Sequence, residues 1–135
     1  MKFFSQPFRI KYSDTDQMGI VHHSNYLKYF ENARISWLRS VGVSYKKIED
    51  SGILMPVVSA SVEFIYPLYF DDEINIEIIL DELPRATLIF DYKIFNQNKK
   101  LVCTGNTKLA FLNSITMRPT RVPKNIYNLF SGSLE

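Results

Sequence analysis

From Asn25 to Val41 the apolar residues Leu27, Phe30, Trp37, Leu38 and Val41 return at helical spacing, which marks one buried helix face. Arg34 interrupts the stripe, while Ala33 and the rings of Tyr26 and Tyr29 widen it. Ser24 or Asn25 suits the helix cap and Gly42 its end. Glu31 lies three residues before Arg34, so the two are expected to pair on one face. A helix of about 17 residues, at ~1.5 Å each, spans roughly 25 Å, the width of a small domain.

The rest of the chain reads mainly as strand. Phe3 to Tyr12 alternates loosely and carries β-formers, predicting a first strand, and Ser13 to Met18 reads as a turn. Ser44 to Ser51 predicts a short helix or turn that Gly52 ends. Beyond Ile53 the period becomes two. Val57–Tyr66, Ile74–Leu80, Leu88–Phe95 and Leu101–Leu112 are expected strands, with a hairpin turn at Asn96-Gln97-Asn98. Pro119 and Pro123 break the tail, and Ile126 to Phe130 reads as a last helical turn. One long helix followed by a run of antiparallel strands predicts an α+β domain, a single one over residues 1–135, with a sheet of about five strands. A sheet curled around the helix would bury its broad apolar face and leave an open edge for a second chain. A dimer at least is expected.

Composition narrows the function classes. The 135 residues are 46% hydrophobic and 22% charged, with a net charge of +2, so charge alone gives no argument for nucleic acid. The single cysteine, Cys103, excludes an internal disulfide and reads as a core thiol. No apolar signal core opens the chain, and no run approaches the ~20 residues of a membrane span. The expectation is a soluble, cytoplasmic protein without a membrane span. No nucleophile elbow, P-loop or dinucleotide fingerprint is present.

Candidate chemistry is concentrated between Tyr12 and Tyr26, where Asp14, Asp16, Gly19, His22 and His23 precede the long helix. The first turn of a helix leaves N–H groups unpaired and favours negative charge, so it can hold an oxyanion that develops on a carbonyl under attack. A carboxylate opposite can attack or activate water. Both aspartates also suit turn-capping hydrogen bonds, and that reading is kept for Asp14. The two histidines suit a general base or a core-edge role better than a metal site, since adjacent rings point apart and no ligand motif accompanies them.

Asp14-Thr15-Asp16, Gly19-Ile20-Val21, His23, Asn25-Tyr26, Tyr29-Phe30-Glu31 and Ala33-Arg34 together resemble the hallmark of the 4-hydroxybenzoyl-CoA thioesterase family. Within it the chain looks closest to the Tol-Pal-associated acyl-CoA thioesterases. Met55–Val58, Val62–Phe64, Tyr66–Leu68, Phe70–Ile74 and Arg118–Pro123 extend the likeness over most of the chain. The resemblance implies a hotdog fold, a long helix wrapped by a curled sheet. It implies a homodimer or a dimer-of-dimers homotetramer with sites at subunit interfaces. It implies hydrolysis of an acyl-CoA with no cofactor beyond the coenzyme A of substrate and product, an acyl carrier protein being a further partner. By position it makes Asp16 the catalytic carboxylate, gives the His23 N–H to the thioester carbonyl and places Gly19 in the turn between them. Asn25 and Tyr26 then frame the site, Val58 and Ser59 reach the acyl group from a neighbouring subunit, and Arg85, Arg118 and Arg121 meet coenzyme A phosphates. The rivals are a non-catalytic hotdog protein that binds acyl-CoA or acyl carrier protein, and a hotdog hydratase using a His–acid pair.

Overall fold

A computed structural model describes residues 1–134. The chain runs β1 (Lys2–Phe4), β2 (Phe8–Arg9), a 3-10 turn at Tyr12–Asp14, α1 (Asn25–Ser40), α2 (Tyr45–Asp50), β3 (Ile53–Leu54), β4 (Val57–Phe64), β5 (Glu73–Ile79), β6 (Thr87–Phe95), β7 (Leu101–Asn113), β8 (Pro119–Thr120) and α3 (Lys124–Leu134). The main strands lie in the order β1-β5-β6-β7-β4, each pair antiparallel. β2 continues beside β5, and β3 and β8 flank the far end of β7. This is the expected helix and curled sheet.

The inner face of the sheet follows the strand period. Ile74, Ile76 and Ile78 of β5, Leu88, Phe90, Tyr92 and Ile94 of β6, and Leu109 and Phe111 of β7 are buried. Against them α1 lays Tyr26, Tyr29, Phe30, Ala33, Trp37 and Leu38, all buried. Helix and sheet approach closely at Gly105 of β7, where a Cβ would overlap the Phe30 ring. Phe30 in turn stacks on Tyr92, with centroids 4.3 Å apart and planes 12° apart. Trp37 meets Phe90 edge-on at 5.5 Å, and Phe130 of α3 closes its other side at 5.5 Å. Cys103 is fully buried, as a core thiol should be.

Several expectations are corrected. The first strand is two short ones, because Ser5 exchanges bonds with Ile76 through its N–H (2.8 Å) and its hydroxyl (2.9 Å), and Pro7, which follows closely, has no N–H for a ladder. β4 stops at Phe64, since Ile65 and Tyr66 both donate to the Val102 carbonyl, at 2.9 and 3.1 Å. Leu27 is exposed. Glu31 and Arg34 do not pair. Arg34 shares the stripe of Phe30 and Trp37, so its guanidinium enters the core, 4% exposed, and donates to the Tyr92 hydroxyl at 3.1 Å. That hydroxyl also bonds Thr107 at 2.6 Å. The tail helix is longer than one turn, anchored by Ile126 and Phe130.

Gly42 ends α1 with φ +84°, a left-handed conformation that glycine adopts freely. β4 lies at the edge of the sheet with nearly every residue exposed, including Val57, Val58 and Phe64. No helix among the described residues is long and apolar enough to cross a membrane.

Candidate active site

Between the 3-10 turn and α1 the chain doubles back on itself. Thr15 bridges Val21, Asp16 N–H donates to the Ile20 carbonyl at 2.8 Å, and Gly19 N–H donates to the Asp16 carbonyl at 3.0 Å. Gly19 has φ +81°, a conformation that would strain any side-chain-bearing residue in this tight turn. Val21 N–H donates to the Leu68 carbonyl at 2.8 Å, and Ile20 bridges Tyr69. The turn is therefore tied to the segment that follows β4.

The two aspartates separate. Asp14 is structural, although not through the turn bonds expected of it. Its Oδ2 accepts from the Tyr29 hydroxyl at 2.8 Å. Its carbonyl accepts from His22 N–H at 2.9 Å and from Asn25 Nδ2 at 2.9 Å. Burial first, then the Asp14 carboxylate, push the Tyr29 hydroxyl well above the usual tyrosine range, so it remains a donor. Asp16 uses Oδ1 to accept from Met18 N–H at 2.8 Å, while its Oδ2 bonds to none of the described residues. The capping reading thus holds for one Asp16 oxygen and leaves the other available.

The start of α1 is arranged without the cap expected of Ser24 or Asn25, neither of which bonds a first-turn N–H. Instead His22 Nδ1 lies 2.8 Å from Ser24 Oγ and accepts from Ser24 N–H at 3.2 Å. Contrary to the expectation that the adjacent rings point apart, His22 and His23 stack, with centroids 4.1 Å apart. The His23 N–H donates to no described residue. Among the described residues no cluster of three or more His, Cys, Asp or Glu side chains is arranged for a metal.

A cavity of about 390 Å³ collects these groups. Asp16, Met18, Ile20, Val21, His23 and Tyr26 form one wall, and Phe64, Ile65, Tyr66 and Pro67 the other. The second wall was not read from the sequence as part of a site. Its signal was there: Phe64-Ile65-Tyr66-Pro67 breaks the alternation of a half-buried strand with consecutive apolar residues that stay exposed.

Other expected site residues lie elsewhere in the chain. Asn25 is turned to the Asp14 carbonyl. Val58 and Ser59 sit on the open edge of β4, by Leu109 and Lys108 of β7. Arg85 lies before β6 in a separate hollow of about 740 Å³ with Asp81, Glu82 and Tyr127. Arg118 and Arg121 bracket β8. The cavity is at the Cys103 end of β7, opposite Phe64, while β8 pairs at Phe111, roughly 25 Å away at ~3.3 Å per residue. Within one chain the arginines and the cavity do not meet.

The chain is similar to known proteins over most of its length. A model of the thioesterase-like superfamily matches residues 10–130. A protein from Aquifex aeolicus with an esterase name is 42% identical over 100 residues, 74% of this chain and 77% of its own. The acyl-CoA thioesterase YbgC of Haemophilus influenzae is 28% identical over 128 residues, 94% and 93% of the two chains. A DHNA-CoA thioesterase structure from Staphylococcus aureus superposes with a TM-score of 0.92 at 26% identity, over 98% of this chain and 91% of that one.

Proposed function

The chain belongs to the thioesterase-like superfamily, and from that premise we infer that it hydrolyses an acyl-CoA to free acid and coenzyme A with Asp16 as the reacting carboxylate. One observation carries the assignment: a single cavity holds a carboxylate with a free oxygen and a helix start with a free N–H.

In this mechanism the thioester carbonyl oxygen accepts from the His23 N–H. The positive end of the α1 dipole favours the charge that grows on that oxygen. Asp16 takes a proton from water as the water oxygen bonds the acyl carbon, or its own oxygen forms that bond and the resulting anhydride is then hydrolysed. The carbon–sulfur bond breaks, and the thiolate leaves and takes up a proton. Gly19 lets the turn carry Asp16 and His23 to one cavity. The reaction as drawn uses protein groups and water alone.

The protein acts as one domain and as a dimer. The unpaired β4 edge and its exposed apolar side chains support a β4–β4 pairing. An antiparallel pairing turns the partner's Val58 and Ser59 toward the Phe64 end of this chain, and brings the partner's Arg85, Arg118 and Arg121 to the side where coenzyme A phosphates would lie. Two such dimers would form the tetramer. The place of work is the cytoplasm, and an acyl group on carrier protein is a second form of substrate.

The test is thiol release from short, long and aromatic acyl-CoAs by wild type and Asp16→Ala. The expected result is turnover by wild type and at least about a hundred-fold lower kcat/KM in a folded variant, roughly 3 kcal/mol of transition-state stabilisation. Equal activity would make Asp16 a turn cap only. Silence of both on every thioester would favour a binding protein.

A further inference from the structure

Among the polar groups of the cavity that the mechanism does not use, the Tyr26 hydroxyl is the one on a buried residue. Tyr26 lies in the first turn of α1, and its ring is held edge-on to Phe64 at 4.8 Å and to Tyr29 at 6.0 Å. The residue is only 3% exposed, and its hydroxyl bonds to none of the described residues. Sealed in that state it would carry the full desolvation penalty of an unpaired buried donor. It is not sealed: among the described residues Arg34 Nε is the buried side-chain nitrogen or oxygen that is both closed to solvent and unpartnered. The Tyr26 hydroxyl therefore opens outward, and the space that Tyr26 lines is the cavity of Asp16 and His23.

The surroundings make this hydroxyl distinctive. Ile20, Val21, Phe64, Ile65 and Pro67 are apolar. Tyr66 is at the rim, half-exposed, with Lys100 Nζ 3.5 Å above its ring. Tyr26 is thus the most buried polar-tipped side chain of the cavity wall. Burial, and next the Cys103 thiol, push its hydroxyl up to about 12, so at neutral pH it is a donor.

We propose that Tyr26 determines specificity: its hydroxyl donates a hydrogen bond to a hydroxyl or oxo oxygen carried by the acyl group beyond the thioester carbonyl. The proposal rests on the thioesterase reading of the same cavity. An apolar pocket discriminates weakly among acyl groups of equal length, whereas a buried hydrogen-bonding group disfavours the analogue that leaves it unpaired. The preferred substrates are oxygen-bearing acyl thioesters, and plain saturated chains of the same length are poorer ones.

The experiment compares matched pairs in wild type: butanoyl-CoA against 3-hydroxybutanoyl-CoA and 3-oxobutanoyl-CoA, and benzoyl-CoA against its ring-hydroxylated forms. At least one oxygenated member is expected to have a kcat/KM about ten-fold or more above its parent. Tyr26→Phe, which keeps the ring, should remove that ratio, while Tyr29→Phe, which deletes a neighbouring hydroxyl outside the cavity, should keep it. Absence of any preference in wild type overturns the proposal without need of a variant. So does a Tyr26→Phe enzyme slowed equally on every substrate, which would tie the hydroxyl to the carbonyl or the water. Binding of non-hydrolysable thioether analogues of the same pairs, followed by calorimetry, gives a second readout. Tighter binding of the oxygenated analogue, lost in Tyr26→Phe, supports the proposal even if no thioester is cleaved; equal binding overturns it. The thioesterase reading fails on different grounds, namely no turnover or no effect of Asp16→Ala.

Discussion

Four residues apart on α1, Tyr26 and Phe30 face opposite situations. Phe30 presses on a sheet that has given up a side chain at Gly105 to admit it, and it stacks on a Tyr92 whose hydroxyl is bonded on both sides. Tyr26 faces an opening where its own hydroxyl, one Asp16 oxygen and the His23 N–H all remain unbonded. The helix is the same and the neighbouring residues are equally aromatic, so side-chain type does not separate the two regions. The difference is whether the opposing sheet closes on the helix. Where it closes, the Tyr92 hydroxyl is bonded by Arg34 and Thr107; where β4 ends and the chain turns away, polar groups are left for a ligand.

The sharpest way to break this contrast is to exchange the fates of the two aspartates. Asp16→Asn should lower kcat/KM by about a hundred-fold or more while barely moving the urea midpoint, since its Oδ1 still accepts from Met18. Asp14→Ala should do the reverse in kind. It leaves the Tyr29 hydroxyl unpaired and should cost about 1.5–3 kcal/mol of stability, seen as a lower urea midpoint, with any loss of rate following from a loosened turn. If Asp14→Ala lost more activity than Asp16→Asn at equal stability, the roles assigned here would be reversed.

The closed region can be tested by overfilling it. Gly105→Ala puts a methyl into the Phe30 ring and should cost about 1–3 kcal/mol, read as a fall in Tm; Gly105→Ala with Phe30→Leu should recover part of it. A neutral Gly105→Ala would mean that the helix and sheet are less tightly apposed at this point than the structure has them. Tyr92→Phe should cost about 1–2 kcal/mol, because Arg34 and Thr107 lose their common partner, without changing the substrate preference of the cavity.

The smallest effect is expected from pH. Burial raises the Cys103 thiol from 9.0 to about 12 and the Tyr29 hydroxyl above its ordinary 10.0. A group whose folded value is raised keeps its proton longer in the folded state. Its contribution is therefore complete below the unfolded value and declines as pH rises past it. Stability should be level up to about pH 8.5 and fall above it as the unfolded thiol ionises, with a shallower fall in Cys103→Ala. The native thiol should also resist a thiol reagent at pH 8 until denaturant is added.

Much of the site was legible because it is local in sequence. Asp16, Gly19, His23 and Tyr26 fall within a short stretch, and a tight turn running into a helix start has few ways to arrange them. The helix and strands were equally legible, since the periods of 3.6 and 2 are carried by the residues themselves. The sequence also showed which residue types could react, but it left Asp14 and Asp16 nearly alike. Only the folded chain distinguished them, by placing Tyr29 against one and an open cavity against the other. Likewise Phe64–Pro67 became a wall, Arg34 turned inward and Arg85, Arg118 and Arg121 fell at the far end of β7. Those outcomes depend on strand pairings between residues distant in the chain, and no local pattern encodes where such pairs will meet.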